Sequence, residues 1–148
     1  MIELLIRRLN QHAKLENSAD VERFDATLAQ IAGLNDVRAI QLLTPFFDDN
    51  CKFPEVMFSI IHTIERFDDE TYTGEVLKVL PTLWRQSPCW TNVLHFRILN
   101  YGPSRLAYRS RLAQADLTIK STARDLFSTM RAREPKFVQA CDEMLAVL

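Results

Sequence analysis

Three histidines, His12, His62 and His95, and three cysteines, Cys51, Cys89 and Cys141, are the side chains with the widest chemical range in this chain. Their spacing assembles no reaction. Metal binding needs several ligands converging on one point, and no C-x-x-C, H-x-x-x-H or H-E-x-x-H pair occurs. His62 shares a helix face with Glu65 three residues on, yet it lies among Ile60, Ile61 and Ile64, and His95 lies between Leu94 and Phe96. Packed or hydrogen-bonded imidazoles are expected there. No G-x-S-x-G elbow, cysteine–histidine signature or Walker sequence is present. Glycine is limited to Gly33, Gly74 and Gly102 among 148 residues, which excludes loops that cradle phosphate on backbone amides. The reading is of a chain that is not an enzyme and carries no cofactor and no metal. Three widely spaced cysteines fit reduced, mostly buried thiols.

Charge says more than nucleophiles do. Residues 1–75 hold 14 acidic and 7 basic side chains, whereas residues 76–148 hold 5 acidic and 11 basic ones. The total of −1 therefore conceals an acidic half and a basic half. A direct nucleic-acid binder would not carry so acidic a half. The densest stretch, residues 48–75, has eight carboxylates against Lys52 and Arg66. Asp69 and Glu70 have a local role there, since carboxylates favour the positive end of a following helix. Glu65 and Arg97 sit in mostly apolar surroundings, where a lone charge costs several kcal/mol. We read them as a structural pair. If the pair is buried, Arg97→Ala should cost about 3–5 kcal/mol. Trp84 and Trp90 are read as core.

The elements that must position these groups are helical throughout. Apolar residues step by three and four, as in Val21, Phe24, Leu28 and Ile31, or Leu126, Phe127 and Met130, and no segment alternates with period two. Asp20, Asp69 and Asp116 stand where N-caps are wanted. Pro54, Pro88, Pro103 and Pro135 suit first helical turns. Gly33 and Asn100 read as helix ends, and Pro81 kinks or splits the helix begun near Glu70. Helix pairs start near Asp20, Pro54, Pro88 and Asp116, at steps of 34, 34 and 28 residues. Such steps predict an all-α fold, a short HEAT- or armadillo-like α-solenoid of antiparallel pairs preceded by one extra helix. An irregular α-bundle is the alternative. One domain is expected over residues 1–148. No signal peptide and no membrane span are read, so the expected address is the cytoplasm.

Two runs resemble the Immunity protein 30 family: Glu55-Val56-Met57-Phe58-Ser59-Ile60-Ile61-His62-Thr63-Ile64-Glu65-Arg66-Phe67-Asp68-Asp69-Glu70-Thr71-Tyr72 and Pro88-Cys89-Trp90-Thr91-Asn92-Val93-Leu94-His95-Phe96-Arg97-Ile98-Leu99-Asn100. Leu80-Pro81 and Pro135-Lys136-Phe137 are similar to it as well, for a likeness over roughly residues 35–140. The resemblance implies an antidote to a polymorphic or contact-dependent growth-inhibition toxin, binding the toxin's C-terminal domain one-to-one in the cytosol. It implies a protein partner, with no direct nucleic acid, no membrane and no catalysis. If that toxin is a basic nuclease, carboxylates should face it, and we expect Asp48, Asp49, Glu55, Asp68, Asp69 and Glu70 at the contact. A HEAT-like adaptor or assembly factor for a host protein is the other reading.

Overall fold

Proline and short polar side chains fix the helix boundaries in the computed structural model, which describes residues 1–148. The α-helices are α1 (Ile2–Gln11), α2 (Ser18–Gly33), α3 (Arg38–Leu43), α4 (Pro54–Ile64), α5 (Asp69–Gln86), α6 (Pro88–Asn100), α7 (Gly102–Ala113), α8 (Leu117–Arg133) and α9 (Val138–Leu145). Short 3-10 turns occupy Thr44–Phe46 and Pro135–Phe137. There are no strands, and no helix is long and apolar enough to cross a membrane.

Pro54 and Pro88 are the first residues of α4 and α6, Pro103 the second of α7, and Pro135 opens a 3-10 turn. At such positions the missing N–H leaves no intrahelical bond unmade. Asp116 caps α8, accepting from the Ile119 amide at 2.9 Å. For α2 the cap is Asn17, not Asp20: the Asn17 side chain accepts from the Asp20 amide at 2.9 Å, and the Asp20 carboxylate reaches back to the Glu16 amide at 3.0 Å. Two reciprocal bonds thus satisfy amides at one helix start, in the manner of a capping box. Gly33 does end α2, but the left-handed residue beyond it is Asn35, at φ 51°. Leu15, at φ 49°, is the other non-glycine residue in that region. Its side chain is buried in the turn between α1 and α2, and that burial opposes the backbone strain. Pro81 lies inside one continuous helix of 18 residues, so the helix is not split.

The four pair starts read from the sequence are the starts of α2, α4, α6 and α8, with α1 as the leading helix. The chain divides into two compact units, Met1–Asp68 and Asp69–Leu148. The division falls between α4 and α5. In the N-terminal unit α2 packs on α1 and α4, and α3 on α1 and α4. Leu5, Leu9, Phe24, Leu28, Ile31, Ile40, Val56 and Ile60 are all but inaccessible there. In the C-terminal unit α5 packs on α6, α7 and α8, and α9 packs on α7 and α8. Val76, Leu80, Leu94, Ile98, Leu112, Phe127 and Met130 close its core.

That second core contains a polar pair. His95 on α6 is fully buried, with Nδ1 2.7 Å from the Thr91 carbonyl oxygen and Nε2 2.8 Å from the Tyr108 hydroxyl. A carbonyl only accepts, so Nδ1 carries the proton and Tyr108 donates to Nε2. The His95, Tyr108 and Phe127 rings meet edge to face, at centroid distances of 5.2 to 5.9 Å. Burial pushes the His95 pKa down to about 4, against a smaller upward pull from the Thr91 carbonyl. Burial, and then Tyr72, pushes the Tyr108 phenol far up.

The unfolded chain binds a proton at His95 below about pH 6.5, whereas the folded chain does not until about pH 4. The stability linked to this residue is therefore fully present above pH 6.5 and is lost as the pH falls towards 4, by about 3 kcal/mol in all. Denaturant melts between pH 7 and 4.5 should show the loss, and His95→Gln should flatten it. An equal slope in the variant would contradict this account.

Candidate partner-binding site

The six acidic residues expected at a contact fall four in the N-terminal unit and two in the C-terminal one. Asp48 is exposed between the Thr44–Phe46 turn and α4, and its Oδ1 accepts from the Asn50 amide at 2.9 Å. Asp49, half-buried, follows it, and Glu55 is exposed in the first turn of α4. Asp68 is exposed beyond the other end of that helix. The Asp48 amide lies 3.4 Å from Met57 Sδ in α4, whereas Asp68 follows that helix's last residue, Ile64, by four positions. Asp69 and Glu70 open α5 in the C-terminal unit. Glu70 pairs there with Arg111, Oε2 to Nε at 3.0 Å, which offsets part of its charge.

Glu65 is half-buried just after α4, and Arg97 is exposed on α6. Glu65 belongs to the N-terminal unit and Arg97 to the C-terminal one. The cost expected for a buried pair does not apply to a guanidinium in solvent. Cys141 is buried, Cys51 is half-buried and Cys89 is exposed, so the thiols are less uniformly covered than their spacing implied. Burial raises the Cys141 thiol to about 11.

A carboxylate outside the acidic stretch occupies the most distinctive polar position in the N-terminal unit. Between α2 and α4 lies an open groove of about 290 Å³, lined by Asp25, Leu28, Ala29 and Ala32 from α2 and by Ser59, His62, Thr63 and Arg66 from α4 and its end. Asp25 Oδ1 is buried and no hydrogen-bond donor of the chain reaches it. The nearby Ser59 hydroxyl donates to the Glu55 carbonyl oxygen, at 3.0 Å. Burial, and then the Glu55 carboxylate, hold the Asp25 carboxyl above its ordinary value, with Ser59 pulling the other way. Sequence reasoning missed Asp25. The available signal was its place beside the stripe of Phe24, Leu28 and Ile31, where a carboxylate meets the edge of a buried face.

These features define a helical scaffold presenting charged faces and a groove. Over residues 11–108 the sequence matches the model of the family described as Immunity protein 30, and the chain belongs to that family. The match starts and ends earlier than the likeness over residues 35–140 read from the sequence. It runs from the last residue of α1 to Tyr108 in α7, so it includes the groove and the His95–Tyr108 pair. No curated protein and no solved structure matches the chain.

Proposed function

We propose that this chain neutralises a cognate toxin domain by binding it one-to-one, in the cytoplasm of the toxin-producing cell or its kin, without catalysis. The observation that carries this reading is the family match over residues 11–108. We take the toxin to be a basic nuclease delivered by a contact-dependent or other polymorphic system. The charge distribution supports that choice. Residues 1–68 hold 11 acidic and 7 basic side chains, net −4, and residues 69–148 hold 8 acidic and 11 basic ones, net +3. An enzyme that grips phosphates presents cations along its groove. An inhibitor meeting those cations with carboxylates gains association rate and rejects wrong partners.

Asp48, Asp49 and Glu55 at one end of α4 and Asp68 beyond the other would then act as two acidic points on one unit. Glu70 contributes less, because Arg111 already pairs with it. Asp69, beside it at the start of α5, also complements the helix N-terminus.

Co-expression with the toxin encoded next to this chain tests the function: growth should be restored by the wild-type chain and not by an unrelated helical protein. Reversing Asp48, Asp49 and Asp68 to lysine should lower the association rate about tenfold or more at low salt, with the difference shrinking as salt is added. Unchanged association, or a loss that instead follows reversal of Arg105, Arg109 and Arg111, would place the contact elsewhere.

A further inference from the structure

Asp25 is held in a position that the chain itself leaves incomplete. A buried carboxylate oxygen normally meets a donor, because leaving it bare forfeits the hydrogen bonds it had in water. Here Oδ1 is covered and meets none, while Asp25 as a residue lines a groove open to solvent. The Ser59 hydroxyl donates to the Glu55 carbonyl and lies close enough to lower the Asp25 carboxyl, but it leaves Oδ1 without a donor. Glu55 adds a second negative charge to the surroundings of Asp25. The cation lining the groove is Arg66, seven residues beyond Ser59, or roughly 10 Å at helical rise. The groove therefore has an acidic part near Ser59 and a basic part near the end of α4. Its floor, from Leu28, Ala29 and Ala32, is apolar and made mostly of small side chains, leaving room for an aliphatic stem.

We propose that this groove seats a lysine or arginine side chain of the toxin, its stem along Ala29 and its charged head on the Asp25 carboxylate. The proposal rests on the immunity reading above and adds to it the position of a contact. Charge complementarity fixes the occupant: an acidic or plain apolar side chain would leave the Asp25 and Glu55 charges unopposed, whereas an ammonium or guanidinium brings a donor and the opposite charge to the carboxylate together. A small apolar floor closed over the pair would exclude water, the setting in which interface residues contribute most to affinity.

A group kept for a partner costs stability in the free protein, so stability and binding should move in opposite directions. Asp25→Asn keeps the shape, removes the charge and should raise the thermal midpoint by about 2 °C. The same change should weaken binding of the adjacent-gene toxin domain, used as an inactivated variant, by roughly 30-fold or more. A merely structural Asp25 would lose stability on this substitution and leave affinity alone. Ala29→Arg provides a second test. Ala29 is exposed and one helical turn after Asp25, so an arginine there supplies the cation from within the chain. It should stabilise the free protein and weaken toxin binding.

If wild-type chain binds the toxin and both variants bind within threefold of it, the groove is not the contact, and the immunity reading stands. If wild-type chain neither binds the toxin nor restores growth, the immunity reading itself fails. Should Asp25→Asn not fold, Ala29→Arg decides alone.

Discussion

A polar atom withdrawn from water must be met by a partner, and this requirement organises both units around their cores. His95 meets it internally. The Thr91 carbonyl and the Tyr108 hydroxyl take both imidazole nitrogens, and three aromatic rings interlock around them. The consequence is a neutral histidine whose tautomer is fixed by its neighbours, joining α6 to α7 inside the core of the C-terminal unit. The Oδ1 of Asp25 on α2 does not meet it within the chain, and burial together with the Glu55 carboxylate makes that carboxyl reluctant to ionise.

The contrast separates scaffold from site. A helical chain with three glycines has few backbone devices for holding a ligand and must recognise a partner with side chains on rigid faces. The long helices supply those faces: α5, with α6, α7 and α8 against it, forms the larger core, while α2 and α4 leave a groove between them. In the proposed reading, exposed carboxylates at the ends of α4 govern encounter, and the Asp25 groove governs how long the complex lasts.

Much of the fold was legible in the sequence because its signals are local. Prolines at the starts of α4 and α6, Asp116 before α8 and steps of three and four between apolar residues each act within a turn or two. The misreadings share a cause too. The Asp20 side chain suits a cap, but the helix starts earlier: Asn17 caps the Asp20 amide, and the Asp20 carboxylate takes the Glu16 amide. Pro81 alone cannot say whether its helix survives, since the packing of α5 on three helices opposes the break. The candidate site was least legible. Local charge density pointed to residues 48–75, but Asp25 becomes distinctive only when α2 packs on α4, 30 residues further along, and buries one of its oxygens.

The claim that binding completes Asp25 is most directly tested by titrating its side-chain carboxyl by NMR, first in the free protein and then in the complex with inactivated toxin. The account predicts a value above the ordinary aspartate range in the free chain and a fall below that range in the complex, as a cation replaces solvent at the carboxylate. A value that stays put or climbs further on binding would contradict it.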